Sequence, residues 1–189
     1  DDMSCNRPRL PIGGFLLDNF AIDGTTFKMK IGLYDAEVTG SADDIDGADG
    51  TLGWRVFAHA AYEDADVVAV EITFNTTGLT RPMPAWRFQP ADANRPWATR
   101  SCMRDPKWQN NPPARNATQP SDGAQIFTQD HLSGAEHSTA VLALPTVTKQ
   151  VGSVTMKTSL LYVSTSSVLA KGAGDAAALA AVRAAANIG

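Results

Sequence analysis

The chain has 189 residues, 43% of them hydrophobic and 19% charged, which describes an ordinary globular protein with length for one domain and its own core. No apolar run approaches the roughly 18 residues that a membrane-spanning helix needs, so no membrane span is expected. A net charge of −4 gives no general attraction for nucleic acid.

Residues 1 to 14, with Pro8, Pro11, Gly13 and Gly14 toward their end, read as an extended arm. Phe15 to Phe20 fit a short strand, and Asp23-Gly24 a turn. Phe27, Met29, Ile31 and Leu33 then alternate with Lys28, Lys30, Gly32 and Tyr34, a strand expected to continue toward Val38. An acidic connection from Gly40 to Gly50 follows.

The clearest signal lies between residues 52 and 74, where two apolar runs are hinged at Glu63, Asp64, Ala65 and Asp66. In the second run Val68, Val70, Ile72 and Phe74 share one face, while Val67, Ala69, Glu71 and Thr73 share the other. That two-residue period belongs to a strand. The first run alternates in the same way, Trp54, Val56 and Ala58 against Arg55, Phe57 and His59, so the two form a central antiparallel pair.

Between Thr80 and Gly123 the alternation breaks down under Pro82, Pro84, Pro90, Pro96, Pro106, Pro112, Pro113 and Pro120. Repeated proline excludes a helix interior and a central strand, so this stretch is a long excursion. So long a connection is expected to be functional, to be packed down by its own aromatics, or to hold short strands without a period. Strand signals resume at Gln125 to Thr128, Ser138 to Leu144 and Ser153 to Ser164. The chain finishes with good helix formers over 175–187, for which Asp175 is the expected N-cap. Because so short a helix is marginal alone, it needs a docking surface on this subunit or another. The resulting fold class is all-β: a single antiparallel β-sandwich domain, jelly-roll-like, with a proline-rich insertion and a short C-terminal helix.

Several constellations invite chemistry. Asp43, Asp44, Asp46 and Asp49 lie beside Gly47 and Gly50, a supply of carboxylates on a turning backbone that suits calcium. The EF-hand spacing is absent: counted from Asp44, the sixth position is Asp49 and the twelfth Arg55. A solvated Asp-Gly connection is the plainer reading, and calcium is the one cofactor these residues suggest.

In the excursion, Trp86, Arg87, Trp97, Arg100, Arg104 and Trp108 interleave aromatic faces with guanidinium groups, a combination that stacks sugar rings or holds anionic ligands. The same tryptophans serve equally to hold a proline-rich segment onto a sheet. Cys5 and Cys102 are either two thiols or a disulfide formed in an oxidising compartment, and the bridge, with export, is the expectation adopted. A start at Asp1 suggests a processed or excised form. His59, His131 and His137 show no ligand spacing, and no G-x-S-x-G marks a nucleophile.

These features favour a non-enzymatic structural or surface-binding module over an enzyme. Its expected role is that of a self-assembling subunit of an extracellular, capsid-like or filament-like assembly, since acidic and basic stretches on one chain suit a homo-oligomer. The alternative is a glycan-binding or glycan-processing domain using the tryptophan-rich excursion.

Overall fold

The computed structural model of the chain describes residues 13–18, 26–43, 50–59, 66–77, 84–90, 112–119, 121–131, 134–168 and 172–188. Among these residues the chain forms β1 (Gly13–Asp18), β2 (Phe27–Gly32), β3 (Glu37–Asp43), β4 (Gly50–Ala58), β5 (Val67–Thr77) and β6 (Ala85–Pro90). It continues with β7 (Arg115–Thr118), β8 (Gln125–Asp130), β9 (Glu136–Ala143), β10 (Val147–Val151), β11 (Val154–Val168) and the helix α1 (Ala173–Ile188).

Nine strands make one antiparallel sheet in the order β2-β3-β4-β5-β11-β9-β8-β7, with β10 alongside β11. The other two, β1 and β6, pair with each other as a separate ribbon. The architecture is therefore mostly antiparallel β in two sheets, with one C-terminal helix.

The alternation in β5 explains the layering. Val70, Ile72 and Phe74 enter one core with Leu52, Phe127, Val141, Leu161, Val163 and, from the ribbon, Phe88. Their neighbours Val67 and Ala69 enter a second core on the other face, with Tyr162, Ala140, Leu142 and the buried residues of α1. The first face is called the ribbon face and the second the helix face. Burial on both sides suits a strand of β-branched and aromatic residues and would suit few others. The 15-residue β11 supports two layers of neighbours. Along one edge it pairs with β5 from Val154 to Ser164; along the other it meets β10 first and then β9.

The helix docks on its own sheet. Ala178, Ala181, Val182 and Ala185, spaced three and four apart, form its buried stripe. Small side chains there let the helix approach Tyr162 and Ala140 closely. Ordering this otherwise marginal helix is thus a tertiary effect.

Three features depart from the sequence-based expectation. Strand β2 stops at Gly32, and Leu33 to Ala36 reverse the chain, with Ala36 held at a φ of 50°. That left-handed conformation costs a non-glycine residue about 1–2 kcal/mol, so nothing in the alternation announces it. Strand β3 takes up Gly40 to Asp43, the first part of the expected acidic connection. Helix α1 begins at Ala173, which places Asp175 in the first turn rather than at the N-cap. The proline-rich stretch holds short strands, one of the forms expected of it: β6, paired with the distant β1, and β7.

Gly40 is required by packing. It sits on β3 opposite Trp54 of β4, and the indole lies flat across the space that a Cβ at position 40 would fill. Trp54 also stacks on Phe27 at 5.3 Å between centroids, so moving the indole aside gives up that contact. Gly40→Ala is expected to lower stability by about 1–3 kcal/mol, the usual range for overpacking. Urea titration followed by tryptophan fluorescence would show the midpoint falling, and an unchanged midpoint would place the indole elsewhere.

Candidate interaction surface

Strands β2, β3 and β4 form a wing that extends from β5 away from the helix. Pair registers place Phe27, Met29 and Ile31 of β2, Val38, Gly40 and Ala42 of β3, and Leu52, Trp54, Val56 and Ala58 of β4 on the ribbon face. None of these residues is charged or polar. Lys28, Lys30, Glu37, Asp43 and Arg55 all fall on the helix face. There Arg55 Nε donates to Glu37 Oε1 at 2.9 Å, and the guanidinium covers the Phe57 ring at 4.3 Å. So three neighbouring strands send every charge to one side.

The ribbon covers only part of the apolar side. Ala42 and Leu52 are buried, and Trp54 and Val56 pack partly buried against the core beneath Phe15, Leu17 and Trp86. Farther out the described residues leave that side open. Phe27 is 54% exposed, Met29 and Ile31 59% each, and at the turn Leu33 and Tyr34 reach 91% and 99%. Phe27 meets Trp54 at 5.3 Å between ring centroids, so the exposed row continues the buried core without a break.

Trp86 lies on β6 opposite Leu17 and points inward, packed edge-on against Phe15 at 6.2 Å. Arg87 alternates to the outer, exposed side of the ribbon. The remaining members proposed for that site, Trp97, Arg100, Arg104 and Trp108, lie outside the described residues. Asp43 ends β3, its N–H directed at the Thr26 carbonyl at 3.4 Å. Asp44, Asp46 and Asp49 are outside the described residues, as are Cys5 and Cys102. No group of three His, Cys, Asp or Glu side chains among the described residues is placed to hold a metal ion.

Two polar clusters sit at the far end of the sheet. On the helix face, Ser138 Oγ donates to Asp175 Oδ1 at 2.6 Å, and Thr128 Oγ1 donates to the same oxygen. Glu136 Oε1 accepts the Gly174 N–H at 3.0 Å. Glu136 thereby satisfies one unpaired N–H at the start of α1, while Asp175, itself in the first turn, ties that end to the hydroxyls of β8 and β9; both put negative charge at the positive end of the helix, which is a docking role.

On the ribbon face, His137 Nδ1 and Ser167 Oγ are 2.7 Å apart. Nε2 of that imidazole is buried with no partner among the described residues, so the pair lacks the orienting third group of a nucleophile and base relay. Burial, reinforced by the nearby His131, holds the His137 pKa below the ordinary histidine value of 6.5.

The proton linkage has a definite sign. The unfolded chain takes up a proton near the ordinary value while the folded chain resists it, so stability falls as pH drops through 6.5 and below. Urea midpoints measured between neutral and mildly acidic pH should fall less in His137→Gln than in the wild type. In an NMR titration the His137 ring should show a midpoint below 6.5, and a midpoint at or above it would contradict this placement.

Sequence reasoning located β2 by its period but gave Phe27, Met29 and Ile31 no role. The available signal was joint: three consecutive segments each confine charge to alternate positions, and Asp35 interrupts the first with a turn-forming residue. Comparison with known proteins adds no assignment, since no family model and no curated protein matches the chain.

Proposed function

We propose that the protein is a non-enzymatic structural module that self-assembles, as a building block of an extracellular or particle assembly, with the wing as one of its contact surfaces. One observation carries this reading. The uncharged face of β2, β3 and β4 runs out of the core onto a row of large side chains left more than half exposed. Large contiguous apolar patches are uncommon on monomers and usually mark contact sites.

Sedimentation velocity over a wide concentration range tests the proposal. The mass should rise from the 20.0 kDa of one chain toward a multiple of it as concentration increases. Because the contact is apolar, moderate salt should leave the association intact or strengthen it. A constant 20.0 kDa at every concentration would overturn the reading.

A further inference from the structure

We infer that the uncovered face of the wing is closed by the same face of a second copy, the two packed face to face about a two-fold axis rather than joined strand to strand along β2. This rests on the self-assembly reading and specifies its geometry.

Area is the first consideration. Phe27, Met29, Ile31, Leu33 and Tyr34 are each more than half exposed. An aromatic side chain buries about 150–250 Å² when wholly covered, so Phe27, Met29 and Ile31, each already partly covered, offer on the order of 300 Å² on the ribbon face, and Leu33 and Tyr34 extend the exposed patch at the turn. A stable interface uses about 800 Å² from each partner, so this row supplies under half of one side of a dimer contact, and Leu33, Tyr34 and the rim supply the rest.

Charge decides between the two ways of placing a second copy. A two-fold strand pairing along β2 sets residues of equal parity opposite one another, so Lys28 and Lys30 would stand against the partner's Lys30 and Lys28. Like charges directly opposite are unfavourable, and lysines on an edge strand are a common device against such pairing. Strand pairing would also leave Phe27, Met29 and Ile31 uncovered, since it extends the sheet sideways. Packing face to face meets neither objection. The lysines remain on the helix face in water, and two apolar sheet faces stack at the ordinary spacing of about 10 Å. Such a contact is self-complementary and closes at two copies.

A lipid surface suits the same side chains less well. Asp35 sits in the turn beside Tyr34, and Glu37 follows it, so immersion of the tip would carry a carboxylate out of water. The wing's lysines lie on the face turned away from the apolar row.

The test compares substitutions on the two faces of one strand by sedimentation velocity, with circular dichroism and urea midpoints confirming the fold. Met29→Lys and Ile31→Lys should each weaken dimerisation at least tenfold, while the double variant Lys28→Ser, Lys30→Ser should dimerise as the wild type does. Should Met29→Lys fail to fold, Met29→Gln carries the same comparison. A wild type that associates, with Met29→Lys ineffective and the lysine variant altered, would overturn the face-to-face geometry while leaving self-assembly standing. A wild type that is monomeric throughout would remove both. Two further results would also overturn the inference. One is a monomer whose Met29 resists oxidation, which means that the chain covers its own wing. The other is a monomer that sediments with phosphatidylserine vesicles, which means that the face meets lipid.

Discussion

Strand β5 has to bury both of its faces at once, and the rest of the molecule is arranged to let it. Its pleat sends Val70, Ile72 and Phe74 one way and Val67 and Ala69 the other, so a single layer cannot enclose it. The long pairing with β11 and the matching register with β4 extend those two faces sideways. One face then receives the ribbon of β1 and β6, the other the helix α1. Burying large aliphatic side chains contributes roughly 1.5–3 kcal/mol each, so these two covers supply most of the driving force for the fold.

The helix cover is fastened at both ends. At its start, Asp175 and Glu136 receive donors from the sheet and from the first turn. Farther along, Arg183 Nε donates to Asp122 Oδ2 at 2.6 Å, and its Nη2 to Ser121 Oγ at 3.1 Å. This contact holds the Asp122 carboxyl below its ordinary range. These attachments engage β8, β9 and the turn that precedes β8. The wing gains nothing from them, which is why its two faces differ so sharply: one solvated and charged, one apolar and only partly roofed by the ribbon.

How much of this the sequence disclosed depended on whether the contact was local. Alternation marked β4, β5 and β11 because each strand's period is carried by its own residues. The pairing of β1 with β6 joins Gly13 to Pro90, and no periodicity reports on so distant a partner. The turn at Leu33 to Ala36 escaped notice because Leu33 and Tyr34 keep the strand's alternation while leaving the strand. For Trp86 the sequence left two roles open, a stacking platform beside Arg87 or an anchor for the proline-rich stretch, and the alternation of β6 turns it inward to pack on Phe15. The proposed contact surface was legible only in part, since its apolar row was visible but its exposure was not.

The proposed self-assembly through the wing rests on where the two covers stop. Mixed samples in which one copy carries labelled Met and Ile methyl groups and the other is unlabelled would address it most directly, through isotope-filtered NOEs. The account predicts cross-peaks from the Met29 and Ile31 methyls of one copy to the ring of Phe27 in the other. A concentrated, associated sample that shows no contact between those side chains would contradict it.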